Sequence, residues 1–306
     1  MSGIPADTGQ RDILRTLLYY DIWAYPLSAQ EILRFFPGRP PSPSELSGHL
    51  DRCKASGLIG EAEGYYFVRG RTEEAVELRR RNARRAAVMW KAATFSASVI
   101  KTFPFIRAVF VSGELSKDVS SPDGDIDFLI LTEPGRLWIA RSLLTLFKKV
   151  FLLNSKKFFC LNYFVSADEC ELDCRNIFAA TEIAHLKPLY NADLFRRYIA
   201  ANRWIRSFFP GFTFTLNGPA RVSNRRSVLQ RLFEAPFRLV DADRLDDMLM
   251  GVMQRVWARR YPQYDEAARN RIFRSTKSES RAYCGDFESR ILTLYEERLR
   301  EFGVAD

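Results

Sequence analysis

The segment from Ile106 to Leu131 constrains this chain more than any other. It opens with a β-branched and aromatic run, Ile106-Arg-Ala-Val-Phe-Val, that ends at Ser112-Gly113. A short helix-prone turn and the loop Ser120-Ser-Pro-Asp-Gly follow, and Asp125-Ile-Asp-Phe-Leu-Ile-Leu then reads as a second strand. Side chains alternate in an extended chain, so Asp125 and Asp127 share one face while Ile126 and Phe128 point to a core on the other. Two neighbouring carboxylates on so apolar a strand repel each other and lose hydration. A hard divalent cation with oxygen ligands relieves both costs. The glycine after the first strand lets backbone amides approach an anion such as phosphate, and Lys117 adds positive charge on that side. As a polar strand edge with no ligand, the same pair would be expensive, because the Phe128-Leu-Ile-Leu run argues for a central strand.

This arrangement resembles the DNA polymerase β-type nucleotidyltransferase superfamily, whose pattern is Gly-Gly or Gly-Ser, a loop, and Asp-x-Asp/Glu between apolar residues. The resemblance is closest to the minimal bacterial members. Gly113 matches the glycine, Lys117 the basic position, Pro122 the loop proline and Asp125-Ile126-Asp127 the metal motif. The resemblance implies an α+β (mixed α/β) fold with a small mixed sheet over about residues 88–195. It further implies catalytic Asp125 and Asp127 holding Mg²⁺ or Mn²⁺, and a nucleoside triphosphate bound at Ser112, Gly113 and Lys117. The nucleoside monophosphate would pass to an acceptor hydroxyl, on a protein or a nucleic acid.

Two positions depart from that pattern. Glu114 stands where the family has Ser or Gly, and a carboxylate beside a triphosphate is repelled unless it turns away or reaches a cation. The third family carboxylate belongs in the strand Phe158-Phe-Cys-Leu-Asn-Tyr-Phe-Val, where the polar residue is Asn162. Asn ligates through its amide oxygen but brings no charge and no basic site; Asp168 and Glu169, just beyond, are alternative sources. Two readings therefore stay open. One is an active transferase, and the other is a catalytically weak fold that serves as a nucleotide-, DNA- or protein-binding module.

Around this unit the chain divides into three parts. Residues 1–70 read as three helices and a two-stranded hairpin, the order of a winged-helix-like domain. The third helix carries Arg52 and Lys54 beside Glu45 and Asp51, so docking to protein competes with DNA reading. Residues 71–195 hold the transferase-like unit behind a long leading helix, whose Arg79-Arg-Arg-Asn-Ala-Arg-Arg cluster follows three glutamates. That order reads as an acidic start and a basic end that suit the helix dipole. Within this unit, Arg136 to Leu153 reads as an amphipathic helix with Trp138, Leu143, Leu144 and Phe147 mostly on its buried side. Residues 196–306 read as a helical C-terminal domain, which the resemblance implies would choose the acceptor, with Arg271 to Arg281 as a basic, hydroxyl-rich loop.

The net charge of +9 favours polyanionic partners without naming one. Five cysteines in irregular spacing fit a reducing compartment rather than a disulfide framework, and with only His49 and His185 as imidazoles they do not build a zinc site. No secretory signal and no membrane-spanning run is visible, so the expected location is the cytoplasm, with no membrane partner.

Overall fold

The computed structural model describes residues 7–214, 222–281 and 287–305. Its first unit is built on three reciprocal capping boxes. Asp7 and Gln10 start α1 (Thr8–Asp21); after β1 (Leu27–Ser28), Ser28 and Glu31 start α2 (Ala29–Arg34), and Ser42 and Glu45 start α3 (Pro43–Ala55). In each box the side chain of the first residue takes an orphan N–H while the third residue returns the favour. The hairpin β2 (Ile59–Ala62) and β3 (Tyr65–Val68) follows. β1 was not evident in the sequence; it pairs with β3, making a three-stranded sheet of order β1-β3-β2.

The long helix α4 (Glu74–Ile100) leads into the central unit. The expected basic end is corrected here. The arginine cluster lies in the first half of α4 and no basic residue occupies its last turn, because the Ala-rich, apolar stretch beyond it prolongs the helix. Arg79 pairs with Glu31, and Arg80 with Glu63, so this part of the cluster clamps α4 to the first unit.

The central sheet has the order β7-β4-β5-β6-β8. Its strands are β4 (Ile106–Ser112), β5 (Asp127–Thr132), β6 (Cys160–Ser166), β7 (Lys187–Tyr190) and β8 (Glu279–Arg281). β5 and β6 are parallel, joined by α6 (Leu137–Phe151), and the other pairs are antiparallel. The short α5 (Gly113–Ser116) leaves the end of β4, and α7 (Ile177–His185) and α8 (Ala192–Ala201) flank β7. Beyond them lie α9 (Val228–Glu234), α10 (Ala242–Arg260), α11 (Glu266–Ile272) and α12 (Phe287–Glu301). The chain is thus a mixed α and β protein with small sheets. The loop expected over Arg271 to Arg281 is corrected: its last three residues are β8, too short and polar to show a period of two, yet bonded to Tyr163–Val165 with Ser280 fully buried.

Alternation along the strands divides the core in two. Phe110, Leu129 and Leu131 face a cluster shared with α1, α7, α8 and α12, while Val109, Val111, Phe128 and Ile130 face α4 and α6. Among the described residues no helix is long and apolar enough to cross a membrane.

α6 begins without a cap of its own. Asp246 of α10 supplies one, accepting from the Ile139 N–H at 2.9 Å and from Trp138 N–H. Burial nevertheless raises its carboxyl to about 6, above its ordinary value. A folded pKa above the unfolded one means that the group's contribution falls as pH rises from about 4 to about 6 and is level beyond. Asp246→Asn keeps an acceptor and removes the charge. Its melting temperature relative to the parent is expected to climb across that window and then flatten. Asp246→Ala orphans two N–H groups and should cost about 1–2 kcal/mol near pH 4, a cost that shrinks as pH rises to about 6 because the parent then bears the buried charge. Thermal melts from pH 4 to 8 check both.

Candidate active site

Three neighbouring strands bring Ser112, Asp127 and Cys160 side by side at one margin of the sheet: Ser112 pairs with Asp127, and Asp127 with Cys160. Asp125 lies just outside β5, which starts at Asp127 rather than at Asp125 as the sequence suggested. The reason is that β4 has already turned away at Gly113. Ile126 instead bonds across to Lys157 and Cys160. Ligand atoms of Asp125, Asp127 and Cys160 lie within 4.8 Å of one another.

Asp127 carries the strain of this arrangement. Burial first, and the Asp125 charge second, push its carboxyl up to about 7. Burial also raises the Cys160 thiol, with the two carboxylates adding to the effect. Asn162, also on β6, donates from Nδ2 to Asp127 Oδ1 at 3.3 Å, so it does reach the pair. Asp168 does not: it sits past the opposite end of β6, bonded by the Ser166 hydroxyl. A strand of that length places it, with Glu169, about 20 Å away.

The glycine turn is shaped to fit the carboxylates. Gly113 has φ +67°, and a Cβ there would lie 2.4 Å from Asp127 Oδ2. Its N–H donates to Glu182 Oε2 at 3.4 Å, and Lys117 Nζ meets Glu182 Oε1 at 2.7 Å. The amide and the ammonium assigned from sequence to a phosphate are thus both engaged by a carboxylate of α7. Glu114 also lines the cleft and accepts from the Ser121 N–H at 2.8 Å, bracing the loop that delivers Asp125.

These groups line one end of an open cleft of about 770 Å³ whose far wall is formed by α6 and α10. Arg141 lies in the α6 wall, only 4% exposed, its guanidinium 4.8 Å from the Phe164 ring centre. Its Nε and Nη1 have no hydrogen-bond partner among the described residues, and burial pulls its pKa down to about 10. Lys148 stands on the same face, 9% exposed and likewise lowered by burial.

Sequence reasoning missed Cys160, Glu182 and Arg141 as site residues. Cys160 precedes Asn162 by two and could have been found from strand alternation. Arg141 interrupts an otherwise apolar helical stripe, a visible signal of a buried cation. Glu182 carries no local signal, since only the packing of α7 over β4 brings it to Lys117. On the first unit, both cations of α3 are paired, Arg52 with Asp7 and Lys54 with Asp51 and Glu61.

In comparisons with known proteins, no family model, no curated protein and no solved structure matches this chain.

Proposed function

We propose that this chain is an Mg²⁺- or Mn²⁺-dependent nucleotidyltransferase of the polymerase β type, moving a nucleoside monophosphate from a nucleoside triphosphate to an acceptor hydroxyl. The observation that carries this reading is the convergence of Asp125 and Asp127 opposite the Gly113 turn at the head of a nucleotide-sized cleft. The donor set suits a divalent ion: Asp127 is a buried carboxylate raised by its neighbour's charge, a burden that a cation removes. Asp125 and Asp127 would hold the ion, with the Asn162 amide able to turn its oxygen toward it. When bound, such an ion neutralises phosphate charge and aligns the leaving pyrophosphate.

The chain's own groups do the rest. Gly113 leaves the space beside Asp127 open. Glu182, a third carboxylate lining the cleft, stands ready to accept the acceptor's proton, with Lys117 Nζ holding it in place. The winged-helix-like unit at residues 1–70 and the segment at residues 196–306 would present the acceptor, a protein or a nucleic acid.

A second reading, a weakly catalytic nucleotide- or partner-binding module, is favoured by one observation. Asn162 meets Asp127 as a hydrogen-bond donor, where a third carboxylate would add charge for a second ion. One experiment separates the two: incubation with α-labelled nucleoside triphosphates, Mg²⁺ and candidate acceptors. Transfer predicts pyrophosphate release and labelled acceptor, both absent in Asp125→Asn. If nucleotide stabilises the protein against heat yet label never leaves the triphosphate pool, the module reading replaces the transferase.

A further inference from the structure

We propose that Arg141, seconded by Lys148, anchors the polyphosphate tail of the substrate on the α6 wall of the cleft. The inference rests on the nucleotidyl-transfer reading and assigns the half of the site opposite the glycine turn.

Charge accounting in the cleft leads there. Lys117, on the glycine side, is held by Glu182, and of the other described lysines and arginines that line the cleft only Arg141 and Lys148 are buried. Arg141 and Lys148 form no ion pair among the described residues, and both line the cleft together with the hydroxyls of Ser142 and Thr145. A guanidinium that is buried with two nitrogens unbonded is costly, and the ring of Phe164 offsets only part of that cost. An anion entering the cleft would supply the missing acceptors in the planar, forked geometry that guanidinium offers to phosphate.

Spacing selects the kind of anion. Arg141 and Lys148 are seven residues apart on one helical face, about 10 Å along the axis. That separation suits a chain of phosphates rather than a single carboxylate or sulfate. The cluster of Asp125, Asp127 and Cys160 lines the same cleft as Arg141 and Lys148. A nucleotide whose α-phosphate sits by Asp125 and Asp127 therefore has its tail directed along α6.

The test uses the full chain and inorganic tripolyphosphate, with and without Mg²⁺, by calorimetry and thermal melts. The parent is expected to bind it and to gain thermal stability, and orthophosphate is expected to bind far more weakly. Arg141→Met should lower tripolyphosphate affinity on the order of 10–100-fold while raising the melting temperature of the ligand-free protein, because an unpaired buried charge has gone. A purely structural arginine would give the opposite change in melting temperature and leave tripolyphosphate affinity unchanged, which overturns the proposal. Lys148→Met provides a second reading, with a smaller loss of affinity, should Arg141→Met not fold. If an oligonucleotide of equal charge displaces tripolyphosphate stoichiometrically and a nucleoside triphosphate does not, the site is not a substrate-tail site and the proposal falls. If the parent binds no tripolyphosphate but still releases pyrophosphate from nucleotide, the anchor is refuted and the transferase stands. Arg141-dependent binding of tripolyphosphate and nucleotide without any transfer supports the anchor and removes the transferase.

Discussion

Asp127→Asn is expected to raise the melting temperature of the metal-free protein by about 3–6 °C at pH 8 while reducing nucleotidyl transfer on the order of 10³-fold. Both effects follow from one fact, the placement of an ionisable group where its charge is unwelcome until a cation arrives. Burial and the neighbouring Asp125 raise its carboxyl to about 7, far above the unfolded value near 4. The group therefore destabilises the fold increasingly as pH rises from about 4 to about 7, and by a constant amount above that. The amide is nearly isosteric and carries no charge, so the gain of the variant over the parent should follow the same course and level off above pH 7. Adding Mg²⁺ should then close the gap, since only the parent gains from an ion that binds the native state alone. A variant that melts below the parent in metal-free buffer at pH 8 would mean that Asp127 is a structural hydrogen-bonding group, and the metal assignment would lose its physical basis.

The same residue shows how far the sequence could be read. Asp125, Asp127, the glycine turn and the two strands around them were legible because each is a local pattern: alternation, a β-branched run, a turn residue. The amphipathic face of α6 was legible for the same reason. What stayed hidden depends on contacts distant in the chain. Glu182 reaches Lys117 and Gly113 from more than sixty positions away, and Asp246 caps α6 from α10. No local rule anticipates either. β8 is three polar residues long and is a strand only because β6 offers an edge. The arginine cluster of α4 was read as the basic end of a helix whose extent, about residues 71–100, was legible; it lies in the first half instead, with no basic residue in the last turn. Asn162 was identified as the polar residue at the right strand position, but the direction of its amide, donating to Asp127, is decided by the carboxylates beside it.

Gly113→Ala is expected to damage both fold and chemistry, and a double substitution can separate the two. The φ of +67° at Gly113 costs an alanine about 1 kcal/mol of backbone strain. In addition, its methyl would lie 2.4 Å from Asp127 Oδ2, so either the turn or the carboxylate must move. The carboxylate is the end of a side chain and the turn is fixed by the Glu182 bonds, so Asp127 is expected to yield, rotating out of line with Asp125. Loss of aligned metal ligands should lower transfer on the order of 10²-fold, with total destabilisation of about 2 kcal/mol. Asp127→Ala removes the atom in the way. In the Gly113→Ala/Asp127→Ala protein the steric share should disappear, leaving the strain of about 1 kcal/mol as the residual cost of the glycine substitution. Denaturant titrations of the four proteins measure that coupling directly. A coupling near zero would place the Gly113 turn and the Asp127 carboxylate too far apart to share a substrate, and the site built on their contact would have to be abandoned.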